Sequence, residues 1–333
     1  MIVHTCFNNS SIHGYKSSIL KSGICKYFRR NEKEKMRWCV MEMSQFNKHP
    51  KGQGLVTNLI NRLKVLIMEE ISFHEIANSY HLILLLNLYD KNRDEYRYLY
   101  SFCDLAFECM RNRFVSYQNC WWRYKEYSPL NLPLEKVVKY KVSGDTDEIL
   151  EVGETLIHYI ETKDERMFSC LKQLIKLGNG GTRFRRKDAS YLWFAIIEDY
   201  MNTDTKKYIY EFSLNQYHKK NMTERVAFAI WIGLMVWKSE LLTTPYDDIP
   251  ILVKSQSEVS EYIKDMEKLE IDDYVTNDYH VNSSKYGLGK FATEGAFVVD
   301  EYLDIDSLAK EKKELYIQDK QNKDKQKKGK KTR

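Results

Sequence analysis

Proline and glycine are scarce in this chain, five and fourteen among 333 residues. Turn-dense β-sandwiches and barrels need such residues between many short strands, so a helix-dominated fold is expected. Long apolar runs are missing too. The most apolar stretch, Val226 to Trp237, lies between Arg225 and Lys238. As a helix it rises roughly 18 Å, short of a hydrocarbon core of about 30 Å. It reads as a buried core helix of a soluble protein with no membrane partner. Met1 to Gly14 lacks a charged region followed by an apolar core, so no secretory signal is expected. Cysteine is present but unpatterned: positions 6, 25, 39, 103, 109, 120 and 170 form an odd set with no CxxC pair. Zinc ribbons need thiolates a few residues apart, and secreted disulfide frameworks usually have an even count. Free thiols in a reducing compartment, cytoplasmic or nuclear, are expected.

Catalytic signatures are absent as well. No GxxxxGK[ST], GxSxG or HExxH motif occurs. Gly178-Asn179-Gly180-Gly181-Thr182 is glycine-rich, but Arg183-Phe184-Arg185-Arg186-Lys187 follows without the Lys-Ser/Thr that holds phosphate and magnesium. Gly287-Leu288-Gly289-Lys290 runs into Phe291 where a hydroxyl is required. His74 and His81 are seven residues apart, not four. No cofactor and no metal are expected.

What is there is a globular chain, 43% hydrophobic and 13% aromatic. Its net charge of +5 is unevenly placed. Residues 306–333 carry eleven Lys/Arg against five Asp/Glu, so the remainder is nearly neutral and only the tail is basic.

Helical periodicity starts at 17–46, where Ile19, Leu20, Ile24, Tyr27 and Phe28 recur at three- and four-residue spacing before polar Asn31 to Lys35. Pro50, Gly52 and Gly54 mark a loop, and Thr57 is the expected N-cap of a helix from Asn58 to Glu70. Helices over 74–89 and 94–115 follow. Ser128 to Pro133 is irregular, and Leu134 to Lys141 reads as a short extended piece. Periodicity resumes with Ile149, Val152, Leu156, Ile157 and Ile160, then near 165–177, 187–202, 205–218, 223–241 and 257–269. The fold expected is mainly α, a packed helical bundle or array. One reading has two helical subdomains, 1–127 and 148–305, with a linker at 128–147; the other is one continuous domain. Residues 306–333 are expected to be a solvated, disordered basic tail. Phe28-Arg29-Arg30 followed by Trp38 is echoed by Phe184-Arg185-Arg186 followed by Trp193, a pattern that duplication or chance would each produce.

Four regions are candidates for chemistry. Lys26, Arg29, Arg30, Lys33, Lys35 and Arg37 form one basic cluster, and Arg183, Arg185, Arg186 and Lys187 a second. Either reads as a phosphate-contacting surface or as a solvated face with nearby acids. Lys327, Lys328, Lys330 and Lys331 of the tail join them as candidate nucleic-acid contacts. The block 278–296 mixes glycine, lysine and acids; Asp278, His280 and Glu294 are its candidate metal or acid–base residues, against an ordered loop returning over the core.

Ser17-Ser18-Ile19-Leu20-Lys21-Ser22, Arg29-Arg30 and Met36-Arg37-Trp38-Cys39-Val40-Met41-Glu42-Met43, with Asn61-Arg62-Leu63 through Glu69-Glu70-Ile71-Ser72, carry a resemblance. Over residues 15–75 the chain resembles the helical C-terminal region of MgsA/RarA-type replication-associated AAA+ ATPases. Glu70 stands where that family has Asp, and Ser72 where it has Gly. Lys21, Arg62 and Glu69 match the pattern. The resemblance implies a clamp-loader-collar-like, oligomerising module without the ATPase core. The block 278–296 also looks like a segment of stand-alone viral and phage proteins with this module. The expected function is thus a non-enzymatic, oligomerising accessory factor in DNA replication, recombination or repair. It would contact nucleic acid without sequence preference and partner itself or a replication protein. The alternative is a structural or packaging protein, such as a virion component, tethered to nucleic acid or an acidic partner by its lysine tail. In a virus, the virus factory or virion replaces the cytoplasm or nucleus as its location. The third is an enzyme using 278–294.

Overall fold

The computed structural model describes residues 10–177, 188–219, 222–242, 252–277, 287–303 and 309–331. Asn31 sets the first reversal. Its φ of 61° lies in the left-handed region that asparagine tolerates, and it folds α1 (Ser17–Arg29) back on α2 (Lys33–Ser44). Leu20, Ile24 and Phe28 of α1 and Met36, Val40 and Met43 of α2 are wholly buried. Gly23 lets α1 lie against the Cys39 thiol, where any side chain would collide. α3 (Gln53–Glu70), α4 (Ile76–Lys91) and α5 (Arg97–Glu108) complete this array. α4 is apolar on most of its circumference and lies deep, with Leu82, Leu85, Leu86 and Tyr89 buried. α3 starts four residues before the expected cap: Gly52 sits hard against the Phe46 carbonyl, and the Thr57 hydroxyl bonds Gln53 O within the helix.

The chain divides into two compact units, Met1–Phe114 with Asp248–Arg333, and Val115–Asp247. This differs from the expected 1–127 and 148–305, because the C-terminal stretch belongs with the N-terminal helices. Sequence periodicity reports which face of a helix is apolar, not which distant segment covers it.

In the first unit the returning stretch holds α12 (Gln256–Lys264), α13 (Asp273–Asn277), α14 (Gly287–Lys290) and α15 (Ala309–Lys331). Ser255 and Glu258 start α12 as a capping box. α14 runs on as a π-helical turn, Phe291–Gly295. α15 corrects the expected disordered tail. Ala309, Lys312, Tyr316 and Asp319 recur at three- and four-residue spacing and are buried, which a composition count cannot reveal.

The second unit begins within α6 (Phe114–Trp121) and continues through α7 (Asp147–Glu161), α8 (Met167–Lys176), α9 (Tyr191–Glu198), α10 (Asp204–Lys219) and α11 (Met222–Trp237). Thr146 caps α7. Leu134 to Lys141 is not extended: Val137–Tyr140 is a 3-10 turn, held because buried Glu154 accepts the Val137 and Lys136 N–H groups at 2.8 and 3.0 Å. Trp193 is fully buried beside Phe168, and Gly233 of α11 is the flat surface its ring lies on. Among the described residues there is no β-strand, and no helix is long and apolar enough to cross a membrane.

Candidate nucleic-acid interface and the ion network behind it

The first basic cluster faces its own chain. Buried Lys26 donates to Tyr274 O at 2.6 Å. Lys33 pairs with Asp104 at 2.8 Å, and Lys35 with Asp272 and Glu32 at 2.8 and 2.7 Å. Arg37 is held by Glu34 and Asp104. Arg30 lies 4.0 Å above the Tyr274 ring and donates to Glu294 O at 2.8 Å. Arg29 is buried and makes a two-pronged pair with Glu70, its Nε at 2.9 Å from Oε2. Arg29 therefore uses its guanidinium for internal bonds, and half-buried Arg30 also bonds the returning C-terminal stretch.

Glu70 is the hub. It is the last residue of α3, and Asn112 N bonds its carbonyl at 3.1 Å while Ser72 N bonds Met110 O at 2.9 Å. These bonds bring Arg113 beside it, with Nε 3.5 Å from Glu70 Oε2. Arg113 also donates to the Tyr316 hydroxyl of α15 at 3.3 Å, and its backbone N–H bonds Glu301. Glu301 in turn pairs with Lys313 at 2.6 Å. Burial would push the Glu70 carboxyl up, but Arg29 and Arg113 outweigh it and hold it below the usual range. Neighbouring Glu69 shifts the other way, raised by burial and by the Glu70 charge.

The described part of the glycine-containing block, from 287, is a helical strap closed at both ends by charge. The Asp324 carboxylate of α15 accepts Leu288 N and Gly289 N, each at 2.7 Å, at the positive end. Gly287, at φ 94°, is required twice: its backbone is left-handed, and a side chain there would run into Asp324. At the negative end Arg29 Nη1 donates to Gly295 O at 2.8 Å beside the Arg30 bond to Glu294 O. The Glu294 side chain is largely exposed and pairs with Lys290 at 3.4 Å. Asp278 and His280 lie outside the described residues, as do Arg183, Arg185, Arg186 and Lys187, so the second copy of the repeated Phe-Arg-Arg is not described either.

Asp324 also divides residues 306–333 by charge. Of the eleven Lys/Arg in residues 306–333, the five before it are matched by five acids, counting Asp324. The six after it have none, and Lys325 and Gln326 are exposed. Lys327, Lys328, Lys330 and Lys331 all belong to this second half of the helix.

Among the described residues little else offers chemistry. Among the described residues no group of His, Cys, Asp or Glu is arranged to hold a metal ion. Burial raises the thiols of Cys25, Cys39, Cys103, Cys109 and Cys170, that of Cys103 to about 12, so none is poised as a thiolate. In the second unit a cleft of about 440 Å³ is lined by Lys136, Lys139, Tyr140, Glu161, Asp199 and Tyr200. Both of its lysines are paired, Lys136 with Glu161 at 2.6 Å and Lys139 with Asp199 at 2.5 Å, and Glu135 also lines it.

Buried His74, between Phe73 and Tyr302, has its pKa lowered by desolvation. The folded chain thus binds this proton less readily than the unfolded one, so stability falls as pH drops below about 6.5. Denaturant unfolding at pH 7 and pH 5 should show a decline that His74→Phe reduces; an unchanged decline would exclude His74 as a source. No protein-family model, curated protein or solved structure matches this chain.

Proposed function

We propose that this chain is a non-enzymatic helical scaffold that tethers itself to nucleic acid through the arm Lys325–Arg333. The observation that carries this reading is the change of character at Asp324. Up to that residue α15 is packed, and residues 306–324 balance five cations with five acids; after it come six cations and no acid. Such an arm neutralises phosphates and releases their counterions, which gives affinity without sequence preference. The Arg29–Arg30 cluster is engaged internally, which turns the reading from the folded body toward the arm.

The test is a chain ending at Asp324. Full-length protein should bind duplex nucleic acid at low salt with log affinity falling linearly in log salt. The truncated chain should lose about a hundredfold or more while keeping its helical circular dichroism. Full-length protein that ignores nucleic acid at low salt would end the proposal. Binding that survives truncation would instead move the contact to Arg183–Lys187 and favour an accessory factor in DNA replication, recombination or repair. Cutting earlier, from Lys310, is a poorer experiment because it also removes buried Lys312, Tyr316 and Asp319.

A further inference from the structure

A second surface, independent of the arm, lies on the second unit. α6 ends at Trp121 and runs into a 3-10 turn, Trp122–Tyr124. Trp122 anchors this turn: it is buried and donates from Nε1 to Asn119 Oδ1 at 2.9 Å. Lys172 of α8 fixes it again, donating to Arg123 O at 2.7 Å and to Lys125 O at 2.9 Å. Just beyond, the Tyr127 hydroxyl bonds Thr155 of α7 at 3.4 Å. The Tyr124 ring, 54% exposed, is thus carried on a backbone held on both sides.

Cations gather on the same turn. Arg123 and Lys125 are exposed on either side of Tyr124 in the chain, and Lys125 Nζ lies 4.6 Å from the half-buried Trp121 ring. Exposed Lys176 follows Lys172 by one turn of α8. Burial, and then the charge of Lys176, lowers the Lys172 pKa. Against these four cations, residues 121–127 and 172–176 contain one acid, Glu126.

Like charges placed so closely favour an anion, and an exposed aromatic ring favours a second flat ring. Single-stranded nucleic acid supplies both, since every base has a π-face and a phosphate on each side. A duplex keeps its bases stacked on one another. An acidic peptide brings the charge without the ring.

We propose that this turn is a surface for single-stranded nucleic acid, on which an unpaired base stacks on Tyr124 while Arg123, Lys125 and Lys176 meet the flanking phosphates. Stacking is tolerant of sequence, and its contribution does not depend on counterion release.

The experiment uses the full-length chain with oligothymidylate, duplex DNA and polyglutamate, each titrated with salt. Tyr124→Ala should weaken oligothymidylate binding about fivefold or more at every salt concentration, leaving duplex binding unchanged. Tyr124→Phe should keep full affinity. Arg123→Gln with Lys176→Gln should instead reduce the single-strand salt slope by about 1.4. Tyr124→Ala without effect, an equal loss on duplex DNA, or polyglutamate competing as well as oligothymidylate would overturn this surface and leave the arm standing. A chain that binds oligothymidylate through Tyr124 but ignores duplex DNA would end the arm and keep the surface.

Discussion

Glu70→Ala is expected to lower the unfolding free energy by about 3–5 kcal/mol, the range seen when one partner of a buried ion pair is removed. Glu70 is almost wholly enclosed and is the carboxylate placed between Arg29 and Arg113, both also buried. Without it two guanidinium groups face each other in a site with little water. Glu70→Gln should cost less, since the amide still accepts a hydrogen bond while the charge is lost. Urea unfolding followed by circular dichroism measures both. A loss under about 1 kcal/mol for alanine would mean that the site relaxes or hydrates freely, and that the network does not fasten the C-terminal stretch. The same carboxyl adds an acid limit. Its folded pKa is depressed, so its stabilisation is complete above the unfolded value and disappears as pH falls through the folded one.

Trp193→Ala should cost about 3–5 kcal/mol for a different reason. No charge is involved; a large ring is removed from a fully buried position beside Phe168 and Gly233, and the walls are helices that cannot collapse freely. The reciprocal change, Gly233→Val, should cost about 1–3 kcal/mol by overfilling the space the ring occupies. If Trp193→Ala is neutral in denaturant unfolding, the second unit is not organised around that ring. With six tryptophans in the chain, circular dichroism is a cleaner probe here than fluorescence.

Helix class and most helix positions were legible in the sequence because periodicity is local. The stripe of Leu59, Leu63, Leu66 and Ile67 shows in α3, and the apolar run of α11 reads directly as a core helix. What did not show depends on distant partners. Glu154 curls the segment expected to be extended, and nothing near residue 137 announces a carboxylate seventeen positions on. Arg29 and Arg30 read as a phosphate surface because the cluster is rich in cations. Their partners, Glu70 and the carbonyls of 294 and 295, lie far along the chain. The division of the tail was available without coordinates: splitting residues 306–333 at each acid would have isolated the uncompensated stretch after Asp324. Its anchoring was hidden, since Lys312 and Asp319 do not look like buried residues.

The doubly capped strap gives the arm a mechanical route into the first unit. A pull on Lys325 and the residues beyond is met first at Asp324, which grips the start of the helix at Leu288 and Gly289. The far end of that helix bears on Arg29 and Arg30, and Arg29 passes the load to Glu70 at the end of α3. A second line runs from Tyr316 through Arg113 to the same carboxylate. Tension on the arm is therefore divided over two paths that meet at one residue of the folded body, instead of peeling α15 away one turn at a time.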